Sequence, residues 1–355
     1  MEERILALSS IEKAAPLLTA WFLKNKRYMP WREDPTPYHV WVSEIMLQQT
    51  RVDTVMPYYE RFIRALPDVD ALAHCEEDRL LKLFEGLGYY SRVRNMQKAA
   101  VKLTEENGGK MPETFEELRA LPGIGDYTAG AISSIAGHRP EPVVDGNVLR
   151  VISRLLGSYE DIDKQKTRDT YAALLRTFLA EGSEDPSVFN QGLMELGALV
   201  CVPNGAPKCE SCPWESLCVA DCKGLIDDLP VRTPKKARKI EQKTVLILVK
   251  DNRCGIVKRE EKGLLSGLYG FPSEEGILSP EEALDKVREY GFEPVELTKL
   301  KNGKHVFSHV EWHMQAYRIR VAAESEGSAI RFAGPEELES TYALPAAFRK
   351  WEIFP

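Results

Sequence analysis

Two carboxyl groups in unlike surroundings carry the chemistry this chain can do. Glu44 lies in Tyr38-His39-Val40-Trp41-Val42-Ser43-Glu44-Ile45-Met46-Leu47-Gln48-Gln49-Thr50-Arg51, a segment that is apolar nearly all round and therefore predicts a buried helix. A carboxyl among Trp41, Ile45, Met46 and Leu47 is costly to ionise, so it holds a proton near neutrality and is a candidate general acid. The alternative is a structural glutamate bound to backbone or to an arginine. Asp145 arrives through Pro140, Pro142, Val143 and Val144 and precedes the amphipathic run Val148-Leu149-Val151-Ile152-Leu155-Leu156. There it is either a plain helix cap or a capped carboxylate kept ionised by N–H donors, the form that stabilises a cationic sugar. A proton donor and a fixed anion are what cleavage of a C–N bond to a poor leaving group requires.

These groups need elements to hold them. Residues 11–30 predict a helix with Ile11, Ala14, Leu17, Leu18, Trp21 and Phe22 inward, followed by Trp31 and Arg32, which alone read equally well as a surface cation–π pair. Further helices are expected over residues 55–63, 77–84, 94–106, 167–180 and 187–200. Thr114 and Glu117 form a capping-box pattern before Leu121-Pro122-Gly123-Ile124-Gly125-Asp126-Tyr127-Thr128-Ala129-Gly130. Gly123 and Gly125 make a tight turn, and a helix opening at Asp126 leaves bare N–H groups suited to a nucleic-acid phosphate. An ordinary turn between helices is the alternative. Gly86-Leu87-Gly88-Tyr89-Tyr90-Ser91-Arg92 has the composition of a wedge, an apolar side chain for a base step, aromatics to stack and an arginine for phosphate, and reads equally well as a buried aromatic turn.

Together L-P-G-I-G and V-D-G-N resemble the helix-hairpin-helix/Gly-Pro-Asp superfamily of DNA glycosylases. With W-V-S-E-I-M-L-Q-Q-T at 41–50 and G-L-G-Y-Y-S-R at 86–92, residues 11–218 resemble the MutY-type adenine DNA glycosylases. That resemblance implies excision of adenine opposite 8-oxoguanine from duplex DNA after the nucleotide is flipped out. It assigns Glu44 to protonate adenine at N7 and Asp145 to stabilise the oxocarbenium-like sugar through a transient covalent adduct, with Tyr127 and Asn147 in support. It places Trp31, Arg32 and Leu47 around adenine, and Gln49, Thr50, Leu87 and Tyr89 at the gap and the opposite base. In the endonuclease III branch a lysine stands where Tyr127 does; residues 121–138 hold no lysine, so a monofunctional enzyme leaving an abasic site is expected.

Seven cysteines, four of them between Cys201 and Cys218, suit a metal or cluster in a reducing compartment better than disulfides. The spacing Cys201-x7-Cys209-x2-Cys212-x5-Cys218 fits a 4Fe–4S cluster better than zinc, since only one C-x2-C is present and no histidine pair lies nearby. Relatives have six residues in the first gap; Cys222 is a spare thiol that leaves the fourth ligand open. The net charge of −7 argues mildly against DNA binding, an objection a local basic groove removes. No apolar run suggests a bilayer span and the N-terminus lacks a basic signal start, so a cytoplasmic monomer without membrane association is expected.

The organisation follows. Residues 1–222 are expected to form a mainly α catalytic region, a six-helix hairpin-containing barrel with an iron–sulfur cluster loop. Residues 223–243, with Pro234-Lys235-Lys236-Ala237-Arg238-Lys239, read as a linker, and residues 244–355 as an α+β domain. In the last, Val245-Leu246-Ile247-Leu248-Val249 and Cys254-Gly255-Ile256-Val257 flank the hairpin signal Asp251-Asn252, and Ser279 caps a helix. Gly263-Leu264-Leu265-Ser266-Gly267-Leu268-Tyr269-Gly270-Phe271-Pro272 resembles the opening of a Nudix-like domain that lacks the acidic metal box, so pyrophosphate hydrolysis is not expected. The family uses this domain to recognise 8-oxoguanine, and Phe307, Ser308 and His309 are the matching residues. Two other readings stay open: an endonuclease III-like glycosylase-lyase, and a non-catalytic iron–sulfur protein that binds DNA lesions.

Overall fold

The computed structural model describes residues 2–203, 205–234, 237–260, 263–322 and 328–354. It divides into two compact units, Met1–His74 with Asn95–Pro234, and Cys75–Arg94 with Lys235–Pro355. Asn204 of the first cysteine gap and Lys235 and Lys236 of the expected linker lie outside the described residues.

The helices run α1 (Glu2–Asn25), α2 (Pro30–Glu33), α3 (Pro37–Leu47), α4 (Val52–Ala65), α5 (Val69–Ala73), α6 (Glu77–Leu83), α7 (Ser91–Asn107), α8 (Phe115–Arg119), α9 (Asp126–Ala131), α10 (Gly146–Leu156), α11 (Gln165–Ala180), α12 (Pro186–Leu199) and α13 (Val219–Cys222). Side-chain caps start many of them: Thr36, Asp68, Glu76, Thr114, Asp145 and Asp185 each accept a first-turn N–H. In the first unit α12 is central, packing on α1, α10 and a π-helical turn (Ile132–Ala136) that continues α9. Ile11, Leu18, Leu149, Ile152, Phe178, Phe189, Leu193 and Leu196 form its core.

Element boundaries differ from the sequence expectation, notably at α1 and α3. Helix α1 starts at Glu2 and stops at Asn25, since Met29-Pro30 opens a separate turn of helix. Helix α3 ends at Leu47 rather than Arg51, because Gln49 turns into the left-handed region at φ 61° and breaks the i→i−4 ladder. Residues Arg4–Asn25 of α1 are also long and apolar enough to cross a bilayer by length and composition, against the expectation of no such run. Its Ile11, Ala14, Ala15, Leu18 and Phe22 face is buried in the protein core.

The second unit is built on strands β1 (Lys239–Lys250), β2 (Arg253–Lys258), β3 (Tyr269–Gly270), β4 (Ser273–Glu275), β5 (Pro294–Lys299), β6 (Gly303–Val306), β7 (Val310–Val321) and β8 (Arg331–Ala333), with helices α14 (Pro280–Glu289) and α15 (Pro335–Ser340). The sheet order is β3-β2-β1-β7-β5, with β4 on β1, β6 on β7 and β8 on β2. Strands β1 and β7 run parallel from Lys239↔Val310 to Val249↔Arg320. The strand therefore begins at Lys239, inside the expected linker, because β7 offers a full-length partner. Thr244 to Leu248 are buried without interruption: Val245 and Ile247 enter the core on one face with Trp312 and Phe348, Leu246 and Leu248 the core on the other with Val287 and Phe292. The Asp251-Asn252 turn has φ of 46° and 58°, as a two-residue hairpin between Lys250 and Arg253 requires.

Candidate active site

One cavity of about 470 Å³ in the first unit brings Glu44, Asp145, Tyr127 and Asn147 together with Trp31, Arg32, Leu47 and Thr50. Glu44 is on α3, whose neighbouring side chains Tyr38, Val40, Trp41, Ile45 and Met46 are all buried. Its partner is a tyrosine, not the backbone or an arginine: the Tyr127 hydroxyl donates to Glu44 Oε2 at 2.6 Å. Burial raises the Glu44 carboxyl from 4.5 to about 7, the Tyr127 hydrogen bond opposes the rise, the Asp145 charge adds to it and Arg32 opposes it. Burial and the neighbouring carboxyls also hold the Tyr127 hydroxyl well above its ordinary value, so it stays a donor.

Asp145 caps α10. Its Oδ1 accepts the backbone N–H of Asn147 and of Val148, each at 2.8 Å, and its Oδ2 accepts the Asn147 side-chain amide at 2.9 Å. The sequence expectation was a carboxylate kept ionised by such donors. Those donors are in place; burial raises the carboxyl from the ordinary aspartate value, while the N–H groups of Val148 and Asn147 and the charge of Arg150 oppose the rise. Arg150 supports the same corner, donating to Asn147 Oδ1 at 3.0 Å and to the Gly197 carbonyl at 2.8 Å.

The wall beside Trp31 contains residues that sequence reasoning passed over. Arg32 donates to Gln191 Oε1 at 3.0 Å, to the Arg27 carbonyl at 3.0 Å and to Glu195 Oε2 at 3.1 Å, so its guanidinium is held inside the protein. Glu195, 2% exposed, also accepts from Arg27 Nε, Arg27 Nη2 and the Arg27 backbone N–H. Burial alone would raise this carboxyl; the Arg27 bond, the Arg32 charge and the Arg27 N–H together bring it below its ordinary value. Gln191 and Glu195 are one turn apart on α12, and two polar residues at that spacing in an apolar helix were the available signal.

Gln49 does not line this cavity, and Leu87 and Tyr89 lie elsewhere. They line a cavity of about 390 Å³ in the second unit, where Phe307, Ser308 and His309 meet them. Phe307 sits edge-on between His305 and Trp312, at 4.6 and 4.8 Å between ring centroids, and Ser308 Oγ is 3.0 Å from His309 Nδ1. His305 is a further lining residue that the motif left out. Leu87 is buried, whereas Tyr89 is 44% exposed at φ 47°. Arg92 was expected to meet phosphate. Instead it folds back, donating to the carbonyls of Leu87, Gly88 and Tyr89 and stacking on Phe84, so it clamps its own turn.

At the hairpin, Gly123 adopts φ 76° and a Cβ there would come 2.5 Å from Asn95 Cβ, so glycine is required by the fold. Gly125 is different: it caps α9 at φ −94°, in backbone open to any residue, and a Cβ would meet nothing within 4 Å. Only the first of the two glycines is thus explained by the free protein.

Cys201, Cys209, Cys212 and Cys218 converge on one small cavity with Arg154, Pro207 and Asp221, and Cys222 is exposed and does not line it. The longer first gap closes through Lys208 N–H donating to the Val200 carbonyl at 3.0 Å. Burial raises Cys212 to about 12 and, with Asp221, Cys209 to about 11. Four thiols facing one small cavity are the donor set a metal cluster takes, and binding it would take their protons. Among the described residues no group of three or more His, Cys, Asp or Glu is arranged as a finished metal site, so the thiols converge without being drawn onto one centre.

Comparison with known proteins agrees with this geometry. Residues 42–177 match the family model of the HhH-GPD superfamily base excision DNA repair proteins, and residues 244–351 that of the NUDIX domain. The adenine DNA glycosylase of Buchnera aphidicola subsp. Schizaphis graminum is 34% identical over 300 residues, covering 84% of this chain and 85% of that protein. The adenine DNA glycosylase of Homo sapiens is 33% identical over 398 residues, covering 94% of this chain and 72% of that protein. The structure of a thermostable thymine-DNA glycosylase superposes with a TM-score of 0.54 at 27% identity, over 62% of this chain and 98% of that one. The chain belongs to the adenine DNA glycosylase family.

Proposed function

We propose that this protein excises adenine paired with 8-oxoguanine or guanine in duplex DNA, as a monofunctional glycosylase of base excision repair. The observation that carries the proposal is the shared cavity in which the buried Glu44 carboxyl, held by Tyr127, accompanies Asp145 on its cap of backbone donors. Glu44 gives its proton to N7 of a flipped adenine as the N9–C1′ bond breaks, and adenine leaves as a neutral base with the bonding pair. Asp145 stabilises the positive charge at C1′, directly or by a transient Oδ–C1′ bond, and that developing cation in turn favours the carboxylate form. Water then adds at C1′, with any Oδ–C1′ bond breaking to return its electron pair to the Asp145 carboxylate, and a water proton returns to Glu44, leaving an abasic site. Trp31, Arg32 and Leu47 bound the base, while Arg27, Gln191 and Glu195 hold Arg32 in place. Tyr127 stands where an amine nucleophile would be needed for strand cleavage.

In this reading the second unit recognises the lesion: Phe307 wedges beside the base, and Ser308 and His309 read edge atoms that guanine lacks; that these three share one cavity with Leu87 and Tyr89 supports it. Gln49 and Thr50 contact the opposite base, and Gly123 and Gly125 the DNA backbone. Cys201, Cys209, Cys212 and Cys218 would hold a 4Fe–4S cluster, which when bound cross-links the chain after α12 and orders the loop with Lys208. A cytoplasmic monomer is part of the same proposal; a cluster-binding set of cysteines suits a reducing compartment.

The test is incubation with duplex holding adenine opposite 8-oxoguanine, opposite guanine or opposite thymine, with and without alkali, beside Glu44→Gln and Asp145→Asn. Alkali-dependent strand breaks at the first two pairs, lost in both variants, are expected. Strand breaks without alkali indicate a lyase, and binding without breaks a non-catalytic protein; either result overturns the proposal.

A further inference from the structure

Asp145 is delivered by an irregular segment, Arg139–Val144, that has neither helix nor strand to hold it. Beyond its own cap on α10, its placement against Glu44 depends on contacts made by that segment's backbone. Two of those contacts, on either side of Pro142, meet one side chain. Asn190, on α12, is fully buried and has every hydrogen-bonding atom engaged. Its Oδ1 accepts the Val143 N–H at 3.2 Å, and its Nδ2 donates to the Glu141 carbonyl at 2.8 Å and to Ser134 Oγ at 2.9 Å. Ser134 in turn donates to the Gly130 carbonyl at 2.7 Å.

We propose that Asn190 is a positioning residue that sets the Asp145 carboxylate in register with Glu44, a role that rests on the proposed function. It grips the polypeptide on both sides of Pro142, two residues before the carboxylate, and ties it to the turn that continues α9, the helix that carries Tyr127. A second contact fixes the same segment from below. A Cβ on Gly130 would lie 2.4 Å from the Pro142 carbonyl oxygen, so the segment rests directly on the α9 backbone. Helix α12 is thus the common frame of both halves of the site. Asn190 holds the Asp145 segment, Gln191 and Glu195 hold Arg32, and Met194 Sδ lies 3.5 Å from the Tyr127 hydroxyl. Gly197 completes the frame, admitting Asn147 where a Cβ would stand 2.7 Å away. Asn190 touches no space a nucleotide enters, and no apolar residue of its size satisfies both the Val143 N–H and the Glu141 carbonyl.

The test compares Asn190→Leu, Asn190→Asp and Ser153→Ala in the full-length protein. Asn190→Leu removes all three bonds. Asn190→Asp keeps the shape and the acceptor for Val143 but turns an oxygen toward the Glu141 carbonyl. Ser153→Ala removes one bond of a different fully buried side chain, to the Ser158 carbonyl at the far end of α10, and serves as the control for loss of a hydrogen bond away from the site. Single-turnover adenine excision, affinity for duplex holding a non-hydrolysable deoxyadenosine, and amide exchange across Glu141–Asn147 are read for each. A displaced reacting group costs rate with little cost in binding, so Asn190→Leu should lose about 100-fold in rate with affinity within about threefold, and Asn190→Asp an intermediate amount. Both should exchange faster across Glu141–Asn147, and Ser153→Ala should keep rate and exchange. A folded Asn190→Leu with rate within about threefold of wild type, or unchanged exchange, overturns the inference. If the leucine variant does not fold, the aspartate variant decides by the same criteria. A wild-type chain that leaves the duplex intact overturns the proposed function instead, and amide exchange then decides the clamp on its own.

Discussion

Removing one hydroxyl should move the pH dependence of excision in a direction opposite to ordinary loss of function. Tyr127→Phe deletes the 2.6 Å bond to Glu44, which is the main influence holding that carboxyl down against burial. A hydrogen bond to a charged group contributes about 1.5–3 kcal/mol, and about 1.4 kcal/mol corresponds to one pH unit. The Glu44 carboxyl should therefore rise from about 7 by about one pH unit or more. Only the protonated form can act as the acid, so wild-type activity is full below that value and falls about tenfold per pH unit above it. In the variant the fall begins later. Whatever constant factor the lost hydroxyl costs, the ratio of variant to wild-type rate should climb by about tenfold between about pH 6 and about pH 9. Single-turnover excision followed by alkali cleavage measures this directly. A variant whose activity falls at the same pH as wild type, or earlier, refutes the assignment of Glu44 as the titrating acid.

Other consequences concern stability and the cofactor. Because burial lifts Glu44 from 4.5 to about 7, its folded form binds a proton more tightly than the unfolded chain does. Its contribution is intact below the unfolded value and lost as pH rises through about 7, so wild type should lose about 3 kcal/mol more than Glu44→Gln between about pH 4.5 and about pH 8 in urea unfolding. Parallel curves would contradict the burial cost. Cys218→Ser should lower iron per chain after anaerobic purification while Cys222→Ser leaves it unchanged; the reverse makes Cys222 the ligand. Gly123→Ala should destabilise by about 1–3 kcal/mol, as a left-handed position with a Cβ clash demands. Gly125→Ala should unfold like wild type yet bind duplex more weakly, and equal binding would remove that glycine from the DNA contact.

What could be read in advance was local. Motif spacing brought Glu44, Tyr127, Asp145 and Asn147 forward, and their helices follow from capping patterns and apolar faces that act within a few residues. Long-range pairings left no such trace. Arg27 and Glu195 are separated by 168 positions; the polar pair Gln191 and Glu195 in an apolar helix signals a polar contact, but nothing in either neighbourhood names Arg27 or Arg32 as the partner. Arg92 looked like a phosphate ligand because composition cannot tell an arginine facing solvent from one folded onto its own turn carbonyls. The start of β1 at Lys239 was hidden for a related reason: residues 239–243, polar apart from Ile240, become strand because β7 lies alongside them. Gln49 shows the limit of periodicity, since a single left-handed residue ended α3 inside an unbroken helical pattern.

The central claim, a proton donor and an anion acting on one extruded nucleotide, is tested most directly by a crystal structure on duplex DNA. The duplex would carry a non-hydrolysable deoxyadenosine opposite 8-oxoguanine. The account predicts the adenine inside the Trp31–Leu47 cavity with Glu44 within hydrogen-bonding distance of N7 and the Asp145 carboxylate beside C1′. An adenine left stacked in the helix, or bound with either carboxyl turned away from it, would contradict the account.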